Sequence, residues 1–145
     1  MKSVLRDQLI GTWKLVSYVE TPVDGAPTRF PFGDRPVGIL MYTPDGFVSA
    51  QLMRPDRQIA SGPMEYADAG IGYLAYSGPF QLDEATATLT HSMRVSLFPG
   101  WVGQTQARLL KLDGDRLELT TVVPSVSHGV RVLSRLMWER ESSNA

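Results

Sequence analysis

His91 is one of two histidines in the chain and lies in the run Leu89-Thr90-His91-Ser92-Met93-Arg94-Val95-Ser96-Leu97. Apolar and polar residues alternate through it. An extended strand therefore carries Leu89, His91, Met93, Val95 and Leu97 on one face and Thr90, Ser92, Arg94 and Ser96 on the other. The apolar face is the one expected to be buried, which turns His91 and Met93 inward. Imidazole titrates near neutrality, so an inward histidine can orient a polar ligand group or act as an acid or base. It can equally be a core residue satisfied by a neighbouring hydroxyl or carbonyl. A second polar set follows at Gln104, Gln106 and Arg108, alternating with Thr105, Ala107 and Leu109. Neither face of that segment is cleanly apolar. Turned inward, Gln106 and Arg108 join His91 in a hydrogen-bonding cluster; turned outward, they are a solvated face, the commoner fate of an arginine.

Other chemistries find little support. The chain has no cysteine, which removes disulfides, thiolate nucleophiles and cysteine-held metals together. Neither His91 nor His128 has a second histidine or carboxylate at a metal-site spacing, so neither a metal nor any other cofactor is expected. Asp24, Asp34, Asp45, Asp83, Asp113 and Asp115 fall in turn sequences, where aspartate bonds its own backbone. Gly70-Ile71-Gly72 is followed by neither a helix start nor a lysine and is no phosphate loop.

The elements that must position these residues are strands. Helical periodicity is weak, while short β-branched and aromatic runs recur between turn signals near residues 11–20, 37–43, 46–53, 71–82, 86–98, 101–112, 116–123 and 131–140. Pro44-Asp45-Gly46, Asp83-Glu84-Ala85, Pro99-Gly100 and Asp113-Gly114-Asp115 are too short for crossover helices and imply hairpins. A meander of eight strands protects its edges by closing, and a barrel of that size leaves room for one small ligand. The expectation is an all-β, eight-stranded antiparallel up-and-down barrel with an internal cavity, spanning residues 1–145 as one domain. Two longer connections, 21–36 with its Phe30-Pro31-Phe32 and 54–70 with a helical turn expected at 63–68, are candidates for a lid.

At 145 residues, 43% hydrophobic and 20% charged, the chain can bury a core unaided. Its formal charge of −1 is spread singly, with no basic footprint for nucleic acid or an anionic membrane. No segment approaches the length of a membrane span or a signal-peptide core, and the absence of cysteine fits a reducing compartment, so a cytoplasmic location is expected. The oligomeric state is left open, a homodimer among the options.

The first strand reads Gly11-Thr12-Trp13-Lys14-Leu15-Val16-Ser17-Tyr18. Its Gly-x-Trp, together with Leu40-Met41-Tyr42-Thr43-Pro44-Asp45-Gly46-Phe47-Val48-Ser49-Ala50-Gln51-Leu52, Tyr76-Ser77-Gly78-Pro79-Phe80 and Ser96-Leu97-Phe98-Pro99-Gly100-Trp101-Val102-Gly103, resembles the bacterial and fungal lipocalin-like domain family, a calycin-type barrel. The resemblance implies the fold, sets the late Arg140 of Trp138-Glu139-Arg140 against Trp13, and favours inward faces holding Gln51 and Tyr73. Independently, a large indole suits a plug for one barrel end, a small Gly11 lets a neighbour approach, and a guanidinium can stack over the ring. With Trp13 inward, Leu15, Ser17 and Val19 share its face, and Lys14 and Tyr18 point away.

Function is therefore expected to be the binding of a small, largely apolar metabolite, aromatic, polyketide- or terpenoid-like, with Gln51, Tyr73, His91, Met93, Gln106 and Arg108 as ligand contacts. The alternative is a cofactor-independent isomerase or cyclase acting on such a molecule, with His91 and Tyr73 as its catalytic residues. A protein-interaction module anchored by the Phe30-Pro31-Phe32 loop rests on that single feature.

Overall fold

The structure, a computed structural model, describes residues 4–59, 62 and 69–145; the helical turn expected at 63–68 lies outside the described residues. A short helix α1 (Val4–Leu9) precedes ten strands: β1 (Gly11–Pro22), β2 (Val37–Tyr42), β3 (Phe47–Met53), β4 (Tyr73–Asp83), β5 (Thr88–Ser92), β6 (Val95–Ser96), β7 (Thr105–Asp113), β8 (Arg116–Thr121), β9 (Ser125–Ser127) and β10 (Val130–Arg140). β1, β2, β3, β4, β5, β7, β8 and β10 pair in order, all antiparallel, and β1 pairs β10 from Trp13↔Arg140 to Pro22↔Val132. That last pairing closes an eight-stranded barrel. β6 and β9 are short additions to β4 and β10.

Alternation places Leu40 and Tyr42 of β2, Val48, Ala50 and Leu52 of β3, Phe80 of β4, Leu89 and His91 of β5, and Leu117 and Leu119 of β8 in the interior, all buried. Toward α1 the interior is packed solid around Trp13, Leu9 and Trp138. Toward the other end the inward residues Tyr18, Leu74, Tyr76, Gln106, Arg108 and Leu136 are only half-buried, so the barrel is a cup with a floor and a mouth.

Two departures from the expected strands reshape its interior. In β1 the register slips between Leu15, opposite Trp138, and Ser17, opposite Met137. One residue is thus extra, and a strand's side-chain period of two means that everything beyond it changes face. Val16 is pushed out, Tyr18 and Glu20 turn inward, and Ser17 and Val19 turn outward, opposite to the simple alternation.

The second departure is in the segment expected as one strand over 86–98. It breaks after Ser92: the Met93 amide donates to Gln104 O at 2.8 Å, the Arg94 amide to Ser77 O at 2.9 Å, and β6 crosses onto β4. Met93 remains buried, but Val95 and Leu97 are exposed. The crossing runs over Gly78, where a Cβ would lie 1.8 Å from Ser92 O. Only a glycine fits beneath it. The strand expected from residue 101 starts instead at Thr105, after a 3-10 turn at Pro99–Trp101.

Candidate ligand-binding site

The floor is built from the opening strand and the closing one. Trp13 is fully buried and its indole Nε1 donates to Leu9 O at 2.9 Å, fixing α1 across the barrel end. The Arg140 guanidinium lies 4.3 Å from the centroid of the Trp13 ring and donates to Ile10 O at 3.2 Å and to Gln8 O. Gly11, at φ +130°, makes the space: a Cβ there would meet Arg140 Nη1 at 3.0 Å. Stacking charge over an indole and tying it to main-chain carbonyls closes the floor without leaving the guanidinium unpaired.

Above the floor, β2, β4 and β5 bring Tyr42, Tyr76 and His91 together. His91 is 1% exposed, with Nε2 at 2.8 Å from Tyr42 Oη and Nδ1 at 2.9 Å from Tyr76 Oη. Burial, reinforced by the charge on Arg108, pushes the His91 pKa down to about 3, so the ring is neutral at physiological pH. Burial likewise raises both phenols, Tyr42 strongly, so these too stay protonated.

A neutral imidazole has one donor and one acceptor. One tyrosine must therefore donate to it, and the other must accept from it and keep its own proton for another partner. Tyr42 is 2% exposed and makes no second side-chain bond among the described residues, so a spare proton there would be stranded in the core. Tyr76 is the less buried of the two tyrosines, so the arrangement of lower energy has Tyr42 donating to Nε2, Nδ1–H donating to Tyr76 Oη, and the Tyr76 O–H free for another partner.

Arg108 and Gln106 lie on the inward face of β7, settling in that sense the ambiguity of the segment. Arg108 donates to Gln106 Oε1 at 2.7 Å and to Ala107 O at 2.9 Å. Its charge reaches Tyr18, Tyr42, Tyr76 and His91, which come from four other strands. Beyond it lies a carboxylate, Glu20, 4% exposed, which accepts from Arg29 Nη2 at 3.1 Å, Ser127 Oγ at 3.0 Å and Tyr18 Oη at 3.3 Å. Burial and the neighbouring Glu20 charge raise the Tyr18 pKa, and that phenol also stays neutral. This knot ties the 23–29 connection and β9 to the barrel mouth.

The expected positions of Gln51 and Tyr73 do not hold. Both lie on the outer face, where Tyr73 Oη donates to Gln51 Oε1 at 2.5 Å and the Arg57 guanidinium covers the Tyr73 ring. Inward places on the same strands belong to Ala50, Leu52, Leu74 and Tyr76, the more apolar sets. His91, Gln106 and Arg108 converge; Met93 is buried just past His91; Gln51 and Tyr73 are apart from them. Tyr42, Tyr76, Tyr18 and Glu20 are the interior polar residues that alternation from Trp13 and from Gln51 passes over. Preferring the apolar face on β3 and β4 recovers Tyr76. Only the bulge explains Tyr18 and Glu20.

The family model described as a lipocalin-like domain matches residues 10–141. Among curated relatives, the 4'-hydroxy-3'-methoxypropiophenone carrier protein of Aspergillus oryzae is 38% identical over 106 residues, which covers 64% of this chain and 96% of the relative.

Proposed function

The chain belongs to the lipocalin-like domain family, and on that premise we propose that its barrel is a carrier for a small, largely apolar aromatic molecule bearing at least one hydrogen-bonding oxygen. The ligand enters at the half-buried mouth, lays its ring against Leu74, Leu136 and Leu52, and presents its oxygen to the Tyr76 hydroxyl. The observation that carries this reading is the His91 clamp. Both ring nitrogens are occupied by phenols, so the imidazole has no free lone pair with which to take a substrate proton, yet it leaves Tyr76 with an O–H to give. That is an orienting device rather than a base. The relative's named cargo, an aryl ketone with a phenol and a methoxy group, has the size and oxygen pattern such a cup would take.

Calorimetric titration tests the reading with para-hydroxypropiophenone and para-methylpropiophenone, which share a shape and differ in the polar group. Wild-type protein binds the hydroxy compound more tightly. Tyr76→Phe loses about 1–3 kcal/mol of that preference, because a buried donor or acceptor left alone costs that much. Failure of both compounds to bind, or a preference unchanged in Tyr76→Phe, contradicts the reading.

A further inference from the structure

Arg108 is a cation inside the cup, and no carboxylate lies within ion-pair distance of it among the described residues. Its two hydrogen-bond partners, Gln106 Oε1 and Ala107 O, are neutral. The strands around Arg108 face it almost entirely with neutral side chains. β1 presents Tyr18 and Glu20, β2 Tyr42, β4 Tyr76 and β5 His91; β3 presents Val48, Ala50 and Leu52; β8 and β10 present Thr121 and Ser134. Of these, only Glu20 is an acid, and it is already held by Arg29, Ser127 and Tyr18. A guanidinium set among neutral hydroxyls in a low-dielectric cup, without a counter-ion of its own, favours negative charge brought by whatever enters.

We propose that the site selects the anionic form of an acidic phenol, a para-acyl phenolate, whose oxygen is held by the Arg108 guanidinium and the Tyr76 hydroxyl together. The inference rests on the carrier reading and adds the charge state of the cargo. An acyl group conjugated with the ring draws charge out of the phenolate oxygen, which makes such phenols acidic enough to ionise near neutrality. Arg108 and Tyr76 then discriminate the anion from the neutral molecule, in the manner of any charge-assisted pair.

Phenol and phenolate absorb at different wavelengths, so the ionisation of bound para-hydroxypropiophenone is read directly by spectrophotometric pH titration. The bound probe should ionise at least about one pH unit lower than the free probe, equivalent to about tenfold tighter binding of the anion. Arg108→Met should abolish that shift, and Arg108→Lys should retain part of it. Affinity for para-methylpropiophenone, which cannot ionise, should fall less than affinity for the hydroxy probe in both variants. A bound probe whose ionisation is unmoved or raised overturns the proposal, as does an equal loss of both probes in Arg108→Met. Binding of the methyl compound together with an unmoved phenol defeats this inference and leaves the carrier reading standing. Binding of neither compound defeats both. The wild-type titration decides the matter even where a variant fails to fold.

Discussion

Removing the titration of His91 should flatten the acid side of the protein's stability curve. The folded pKa is about 3 against an unfolded value of 6.5. Above 6.5 the imidazole is neutral in both states and contributes no pH dependence. As pH falls through 6.5 the unfolded chain takes up a proton that the folded protein refuses until pH nears 3, so stability is lost across that window. At about 1.36 kcal/mol per unit, the two units down to pH 4.5 cost about 2–3 kcal/mol. His91→Gln supplies an amide that can accept from one tyrosine and donate to the other, keeping both hydroxyls partnered without a titrating ring. Urea unfolding of the two proteins between about pH 7 and pH 4.5 checks the difference, in which carboxylate titrations common to both cancel. His128→Gln, at an exposed site in the turn before β10, controls for the second histidine. Equal slopes in wild type and His91→Gln would refute the buried neutral clamp.

Three further outcomes follow from packing. Trp13→Ala should destabilise by about 3–5 kcal/mol in thermal or urea unfolding, since it empties the floor and unstacks Arg140. Gly78→Ala forces a methyl into Ser92 O and should cost about 1–3 kcal/mol or more, with β6 released from β4 in amide exchange; an unaltered protection pattern would contradict the crossing. Gln51→Ala and Tyr73→Phe, on the outer face, should change affinity for para-hydroxypropiophenone less than about twofold and stability by within about 0.5 kcal/mol, measured by the same titrations.

The barrel was legible because short Asp-Gly and Pro-Gly turns leave no room for helices and because the Gly-x-Trp opening marks a floor. His91 was legible because β5 alternates cleanly as far as Met93. On β3 and β4 alternation alone left the inward face open, and the faces favoured by the family resemblance, with Gln51 and Tyr73, are the outer ones; the more apolar Val48, Ala50, Leu52 and Leu74 form the interior. β2 carries apolar residues on both faces, Val37, Ile39 and Met41 as well as Leu40 and Tyr42, so only pairing of Trp13 with Leu40 fixes Tyr42 inward. No glycine or proline marks the bulge at Val16, and alternation therefore sent Tyr18 to the wrong side; Glu20 comes inward through the same slip. The break after Ser92 left its trace elsewhere in the chain, in the glycine at 78 that the crossing requires.

A crystal structure of the protein with para-hydroxypropiophenone tests the central claim most directly. The account predicts the ring inside the barrel between Leu74 and Leu136, one ligand oxygen within hydrogen-bond distance of Tyr76 Oη, and His91 still bonded to both tyrosines. A ligand seated on the outer face beside Gln51 and Tyr73, or one inside the barrel that displaces a tyrosine to bond His91 itself, would contradict it.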